Sequence, residues 1–439
     1  MTNDKNVILL KSNPVITATA TRQLQISATL DSNNALKKFK EVIKKYPGNF
    51  TDEVSRYYPL NDYLIDSFPL ISFNWKGLSE NKNIRWDIDL IERYKDHWKW
   101  KSLSKNISLP WNIELIERFS HRFKWKALSE NTAIPWSLGL IEYFNQSWKW
   151  EVLSSNVSVP WSVELIDHYI DKWDWENLSR NRFLPWSFDL IKRYFDKWNW
   201  SVLSGNSALP WSENLISSYE SKWSWCTAYY QPGLSSNIGL PWCPDFIERY
   251  ANKWGWKDLS RNESIIWTNW LIDRYIDRLD WEALSKNTSI RFNAELIERY
   301  SDRWNWKELS FNSAVSWSVE LIDRYEINWC WLSLSFNNSL PWSLDLIKRY
   351  EDKWCWEGLS VNEAIQSKIE ILEMYHDKLY WWAILSGDST HLNIHFMEKF
   401  KDYWIQDYGE FRRFDEWNYL KDQDITDLIN YFHKGGGSN

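Results

Sequence analysis

The feature that most constrains this chain is a short motif, Trp-x-x-Leu-Ser, that recurs at a fixed spacing. Successive copies of its Leu are 25 residues apart, except for one step of 31 and one of 26, at Leu78, Leu103, Leu128, Leu153, Leu178, Leu203, Leu234, Leu259, Leu284, Leu309, Leu334, Leu359 and Leu385. The longer step holds an insertion between Trp225 and Leu234. Such a period is the signature of a repeat architecture, in which each unit packs mainly on its neighbours.

One repeat unit, PWSVELIDHYIDKWDWENLSRNRFL from Pro160, is typical of two short helices joined by tight turns. Pro160 ends the preceding segment, because proline cannot continue a helix. Ser162 is predicted to cap the first helix by accepting a hydrogen bond from a free backbone N–H. Asp, Asn, Ser or Thr holds this slot in ten of twelve units, so a helix is expected to begin there in almost every repeat.

The first helix is predicted to be amphipathic. Its apolar residues from Leu165 to Trp173 fall at i, i+1, i+4 and i+8, which is one stripe of a 3.6-residue period, so this face should be buried. The opposite face carries acids four residues before bases, an order that favours ion pairs within one helix. The pairs predicted in this way are Asp89 with Arg93, Glu114 with Arg118, Asp189 with Arg193 and Glu320 with Arg324.

The second helix is predicted from Asp174 to about Ser179, and Asn181 follows it. Twelve of thirteen units keep this Asn. Asn accepts left-handed backbone angles and its amide can satisfy carbonyls at a helix end, so we expect a C-terminal stop or a ladder of hydrogen bonds between repeats. The structural signature of the repeat is therefore Trp175, Leu178, Asn181, Trp161 and Ser162.

Tryptophan is the other unusual feature, since the chain has 36 of them. Of these, 32 fall in three phases: three residues before the motif Leu, as Trp175; five before it, as Trp173; and eight after it, as Trp161. This count places Trp225 and Trp223 in the first two phases, from which the insertion displaces them. A unit of 25 residues is too small to bury such side chains alone, so neighbouring repeats are expected to stack into one continuous core. A minority of the rings could still line a groove.

These patterns predict an all-α fold, namely a right- or left-handed α-solenoid of about 13 two-helix repeats over residues 74–388. Residues 1–73 do not follow the repeat and are predicted to form a small mixed α/β cap, with a β-hairpin and an amphipathic helix. Residues 389–434 are expected to be a degenerate helical cap and 435–439 a flexible tail. The insertion near 226–233 is either a tolerated surface bulge or a contact loop that uses Tyr229, Tyr230 and Gln231.

Composition and motifs argue against several functions. The net charge of −7 disfavours nucleic acid and anionic membranes as partners, and no basic and apolar leader or long apolar run occurs, so a cytoplasmic location is expected. The four cysteines, Cys226, Cys243, Cys330 and Cys355, are expected to be reduced thiols. His391 and His395 have the spacing of two metal ligands but lack a metalloenzyme signature around them. No cofactor is expected.

The segments Trp198-Asn199-Trp200 through Asn206 and Trp304-Asn305-Trp306 through Asn312 share the pattern Trp-x-Trp-x-x-Leu-Ser-x-Asn. This pattern resembles short tryptophan-rich tandem repeats of giant DNA viruses and some bacteria. The resemblance covers about residues 73 to 388. It implies a repeat scaffold and supplies no catalytic residue.

The expected function is that of a non-catalytic scaffold that recognises a protein or peptide through one face of the solenoid, as a sensing or docking subunit of a larger assembly. Two alternatives stay open: a module that binds carbohydrate or a small ligand through exposed Trp, and an enzyme whose site lies in the non-repeat ends. The sequence also leaves open whether the chain forms a homo-oligomer.

Overall fold

The computed structural model describes residues 50–67, 73–227 and 231–386, together with Phe400 and Ile425. Short helices form its regular structure, and these residues contain no β-strand. The chain divides into two compact units, residues 1–85 with 392–439 and residues 86–391. The helix pairs of residues 86–391 pack in sequence order, which confirms the all-α solenoid. The predicted β-hairpin lies outside the described residues.

Each repeat begins with a first helix of six residues. In residues 86–391 these helices are Ile88–Arg93, Ile113–Arg118, Leu138–Tyr143, Val163–His168, Phe188–Arg193, Glu213–Ser218, Pro244–Arg249, Asn269–Arg274, Ala294–Arg299, Val319–Arg324, Leu344–Arg349 and Ile369–Met374. Each of them buries its Leu-Ile pair or the equivalent residues.

The second helices are equally short. They are Trp100–Lys105, Trp125–Glu130, Trp150–Leu153, Trp175–Arg180, Trp200–Ser204, Trp256–Arg261, Trp281–Lys286, Trp306–Phe311, Trp331–Ser335, Trp356–Val361 and Trp381–Ser386. A 3-10 helix at Leu234–Ser236 takes this place in the repeat that holds the insertion, and an extra turn, Glu363–Gln366, follows Val361. Second helices of adjacent repeats pack on each other.

The first helix is shorter than the apolar stripe predicted. Ser162 caps it as expected, because its hydroxyl accepts from the N–H of Leu165 at 3.2 Å. The helix ends at His168, and a hydrogen-bonded turn over 169–172 then carries the chain to Trp173. The i+8 position of the stripe is therefore buried by a turn and not by a third helical turn.

The motif Asn performs both of the predicted roles. The N–H of Asn181 bonds to the carbonyl of Leu178 and ends the second helix. Its side-chain amide donates to the carbonyl of Ser154 in the preceding repeat at 3.0 Å. Its backbone has φ −70° and ψ 120°, so the expected left-handed conformation does not occur. The same bond to a Ser carbonyl of the preceding repeat is made by Asn131, Asn156, Asn206, Asn237, Asn262, Asn287, Asn312, Asn337 and Asn362.

The motif Ser forms a second link between repeats, which the sequence analysis did not identify. The buried hydroxyl of Ser179 donates to the carbonyl of Trp175 at 2.6 Å and accepts from the N–H of Asn199, in the next repeat, at 3.0 Å. This bond satisfies the backbone N–H of the residue that precedes the next second helix. Ser and Asn together link each repeat to its neighbour through buried hydrogen bonds.

Residues 50–67, described by themselves with the helix Trp75–Glu80, form a pair of helices that resembles a repeat. These helices are Phe50–Tyr57 and Asp62–Ser67. Ser55 accepts from the N–H of Asn74 and its carbonyl accepts from the amide of Asn81, both at 3.0 Å, as the motif Ser does elsewhere. Asn61 caps the second of them by accepting from Leu64. The sequence analysis did not detect this pair, because it lacks the Trp of the motif.

Candidate partner-binding surface

The second helices expose two side chains per repeat, two residues before and two residues after the motif Leu, and we call this row the second-helix surface. In most repeats both positions are polar and many are charged. Lys286 contacts Glu282 in its own helix at 2.7 Å and Glu308 in the next repeat at 3.4 Å. Arg180 contacts Glu176 in the same way at 3.4 Å. Paired charges of this kind keep the surface solvated.

Near the end of the described array this pattern changes. Phe311, Leu332, Phe336 and Val361 occupy the same positions in three consecutive repeats, and we call them the apolar patch. Their exposed fractions are 59%, 54%, 37% and 37%. Leu332 and Phe336 stand where Glu282 and Lys286 form an ion pair two repeats earlier. An ionic surface is thus replaced by an apolar one without any change in the backbone pattern.

One member of the apolar patch, Phe336, contacts the next repeat. The ring of Phe336 lies over Gly358 of the next repeat, where an added Cβ would meet its Cε2 at 3.0 Å and its Cδ2 at 3.1 Å. Ser333, which has the same slot as Gly358 one repeat earlier, is 9% exposed. A small residue at this slot leaves room for the ring of Phe336 on the next repeat.

The insertion lies on the second-helix surface as well. Gln231 accepts a hydrogen bond from the guanidinium of Arg180 at 3.2 Å. Pro232 covers Gly205, where an added Cβ would lie 2.5 Å from its Cγ. The insertion therefore reaches back over one repeat to a second. Of the predicted contact residues, Gln231 is half-buried in this position, whereas Tyr229 and Tyr230 lie outside the described residues.

The first helices carry a separate row of polar contacts between repeats. Asp167 accepts from the hydroxyl of Tyr194, 2.6 Å away, and from the guanidinium of Arg193, both in the next repeat. We call such a group of acid, base and tyrosine a carboxylate rung. Equivalent rungs join Glu142 to His168 and Tyr169, Glu248 to Arg274 and Tyr275, Asp273 to Arg299 and Tyr300, Glu298 to Arg324 and Tyr325, and Asp323 to Arg349 and Tyr350.

The rungs correct three of the four predicted ion pairs within helices. Arg193 contacts Asp167, which is 26 residues earlier, and not Asp189 of its own helix. Arg118 contacts Glu92 and Arg324 contacts Glu298 in the same register. The first helix is only six residues long, so its bases reach the preceding repeat as easily as their own first turn. The ion pairs therefore hold neighbouring repeats together.

The rungs shift the pKa values of their members. The hydrogen bond from Tyr194, followed by the contact with Arg193, holds the pKa of Asp167 below its usual value. Burial, followed by the hydrogen bond to Asp167, raises the pKa of Tyr194 to about 12. Each shift favours the ionised acid and the protonated phenol at neutral pH, which is the state that makes the hydrogen bond.

The Trp rows are mostly core, as predicted. Trp173 is 4% exposed, and Trp175 and Trp161 are half-buried. A cation from the next repeat also lies over many rings of the Trp175 phase, as Lys197 does at 5.6 Å from the centroid of Trp175. Among the described residues, the Trp that is exposed is Trp270, at 56%, and it belongs to none of the three phases.

The other candidate groups of the sequence analysis are the four cysteines and the pair His391 and His395. All four cysteines are free thiols, as expected. His391 and His395 lie outside the described residues. Within residues 50–67, 73–227 and 231–386, no cluster of His, Cys, Asp and Glu could hold a metal ion, and no helix has the length and apolar character needed to cross a membrane.

Comparison with known proteins gives no relative: no protein-family model, no curated protein and no solved structure matches the chain.

Proposed function

We propose that the chain is a non-catalytic binding scaffold that recognises a protein or peptide through the second-helix surface. The observation that carries this proposal is the apolar patch, which replaces an ionic surface at equivalent positions of a regular array. The buried Ser and Asn links are the same on both sides of the change, so the patch is not needed to form the repeat. Side chains that vary where the fold does not require it are available for recognition.

The chemistry of the patch favours a partner with apolar side chains. Exposed apolar strips on a protein surface are typical of interaction sites, and aromatic side chains are frequent anchors there. The neighbouring charges of Lys286, Glu282 and Glu308 give the strip a polar rim at one end. An apolar centre with a polar rim is the usual anatomy of a protein interface.

The test compares the wild-type chain with the double variant Leu332→Glu/Phe336→Lys as baits in lysate of the source organism. This variant copies the natural pair Glu282 and Lys286, so the helix gains an ion pair and should keep its fold. The matched control is Ile107→Lys, which places a charge at an isolated exposed apolar residue, 48% exposed, outside the patch. Thermal melting of all three proteins checks that the array is intact.

The proposal expects a protein that is retained by the wild type and by the control and lost, by at least about tenfold, with the double variant; that loss corresponds to about 1.4 kcal/mol. Equal retention by all three baits would contradict it. The partner could also be a second copy of this chain. Light scattering after size exclusion tests this case, because the molar mass would then fall from oligomer to monomer in the double variant. Deleting residues 229–233 in a further bait tests the predicted contact loop.

The carbohydrate alternative requires an exposed ring. Trp270 is the exposed Trp among the described residues, and Ile266, four residues earlier in the chain, is exposed as well. Sugars that bind there should change the Trp fluorescence of the wild type and not that of Trp270→Ala. An unchanged spectrum with a panel of sugars would count against this alternative.

A further inference from the structure

The series of carboxylate rungs is interrupted before the insertion. At the position of the acid, where the preceding repeat has Asp167, stands Lys192. In the next repeat Ser218 takes the position of the base, and Tyr219 keeps that of the tyrosine. The same double change occurs at Lys348 and Met374. Wherever Lys replaces the acid, the base that would have contacted it is absent too, so the two positions act as one unit.

A third interruption has Ser217 at the position of the acid, and its base, Arg249, contacts Glu213 instead. The two interruptions in which Lys replaces the acid differ in what happens to the tyrosine. At the second one, the hydroxyl of Tyr375 donates to Glu351 at 3.3 Å, so an acid from another position fills the gap. At the first one, in the part of the chain that the structure describes, the hydroxyls of Tyr219 and Ser218 make no hydrogen bond and Lys192 makes no ion pair. We call these three residues the open rung.

The acids nearest in sequence or position do not pair with Lys192. Asp189 and Asp196, three residues before and four after Lys192, form no ion pair with it. Asp167 is held by Arg193, and Glu213 is held by Arg249. Lys192, Ser218 and Tyr219 thus place an ammonium and two hydroxyl donors at the positions that the acid, the base and the tyrosine have in the six carboxylate rungs.

An aromatic side chain borders the open rung. Phe188 is 37% exposed, and its ring stacks on that of Tyr219 with 5.9 Å between centroids and 28° between planes. Phe195 contacts the same tyrosine ring at 5.7 Å. The hydroxyl-bearing ring of Tyr219 thus lies beside the exposed apolar ring of Phe188.

We propose that the open rung binds a carboxylate side chain of a partner polypeptide, with an apolar neighbour of that side chain resting on Phe188. The inference rests on the proposed scaffold function and names the chemistry of its partner, an acidic segment with apolar residues beside the acids. The carboxylate would accept from Tyr219 and Ser218 and pair with Lys192, as Asp167 accepts from Tyr194 and pairs with Arg193. The six carboxylate rungs, which we call closed rungs because each already holds an acid, show the contacts expected of the bound carboxylate.

The probe is a fluorescein-labelled peptide of four Leu-Glu repeats, and the matched peptide has Gln in place of Glu. Fluorescence anisotropy at an ionic strength of about 0.15 M keeps long-range charge effects small. The full-length wild type should bind the acidic peptide about tenfold more tightly than the Gln peptide, which corresponds to about 1.4 kcal/mol.

Two variants test whether the open rung binds the acidic peptide. Lys192→Asp/Ser218→Arg recreates a closed rung and should bring the affinity for the acidic peptide down to that for the Gln peptide, while the melting temperature stays level or rises. Asp167→Lys/Arg193→Ser copies the open rung one repeat earlier and should add a second binding equivalent for the acidic peptide.

Equal affinity of the two peptides for the wild type, or an unchanged affinity in the closed-rung variant, would overturn the proposal. Displacement of the peptide by an equal concentration of inorganic phosphate would also overturn it, because it would show a general anion site. These results are separate from the scaffold test: loss of the native partner with Leu332→Glu/Phe336→Lys would still support the scaffold if the open rung fails. Peptide binding without a native partner would support the open rung alone.

Discussion

The side-chain amide of Asn206 donates to the carbonyl of Ser179, 2.9 Å away and 27 residues earlier in the chain. The same amide reaches the carbonyl of Asn181 at 3.2 Å, while its oxygen accepts from the N–H of Ala208 at 3.0 Å. Asn206 is 3% exposed. One buried side chain thus satisfies backbone groups of two repeats, which is the reason this residue type recurs in twelve of the thirteen units.

Replacing Asn206 with Ala should lower the free energy of unfolding by about 2–4 kcal/mol, because several buried backbone groups lose their partners at once. Chemical denaturation followed by circular dichroism measures the change. Asn269→Ala is the control, since this exposed Asn makes no side-chain hydrogen bond, and we expect a change within about 0.5 kcal/mol. Similar losses at both positions would contradict a structural role for the ladder.

Two glycines should respond to alanine in opposite directions. At Gly205 an added Cβ would lie 2.5 Å from Cγ and 2.7 Å from the carbonyl oxygen of Pro232, so Gly205→Ala should destabilise the array by about 1–3 kcal/mol. At Gly139, inside a first helix, an added Cβ meets nothing within 4 Å, so Gly139→Ala should stabilise it by about 0.5–1 kcal/mol.

Melting temperatures of the two variants check this prediction. In Gly205→Ala, Pro232 must move, so protease cleavage near the insertion should become faster. Stabilisation by Gly205→Ala would show that the insertion does not lie against this repeat.

Stability should have a plateau around neutral pH. The pKa of Asp167 is lowered in the folded chain, so its rung contributes stability above the ordinary carboxylate pKa and loses it as the pH falls through the folded value. The pKa of Tyr194 is raised to about 12, so the same rung contributes stability below pH about 10 and loses it as the pH rises toward 12.

The melting temperature of the wild type and of Tyr194→Phe, measured as a function of pH, shows the loss of stability on the acid side and on the alkaline side. Phenylalanine is tolerated at this position, because Phe119 and Phe144 occupy it in other repeats. In the variant the melting temperature should fall less between pH about 10 and 12, since no phenol remains to titrate at that rung. An identical pH profile would mean that the rung adds nothing to stability.

The four thiols should react at different rates. Cys243 and Cys226 are exposed, but burial and the nearby Asp258 raise the pKa of Cys226, so Cys243 should react first with a disulfide reagent at pH 7. Cys330 and Cys355 are half-buried and should react last. Single Cys→Ser variants assign each phase. A faster phase from Cys226 than from Cys243 would contradict the order.

The register of the ion pairs could not be predicted from the sequence. Glu114 and Arg118 have the ideal spacing within one helix, yet Arg118 contacts Glu92. Whether a long side chain turns to its own helix or to the next one depends on how closely the repeats stack. The open rung was missed for the same reason, because Lys192 is unusual only when it is compared with the acid that contacts the next repeat.

The sequence by itself determined the repeat, its two helices and the Asn that links one unit to the next. Fixed spacing, the cap at Ser162 and the recurrent Asn181 are local signals, and local hydrogen bonding and burial follow from them directly. The tertiary structure alone decided which side chains of different repeats meet, such as Pro232 with Gly205 and Phe336 with Gly358. Those contacts depend on the distance and rotation between stacked units, which arise from the packing of whole repeats and are not encoded at any single position.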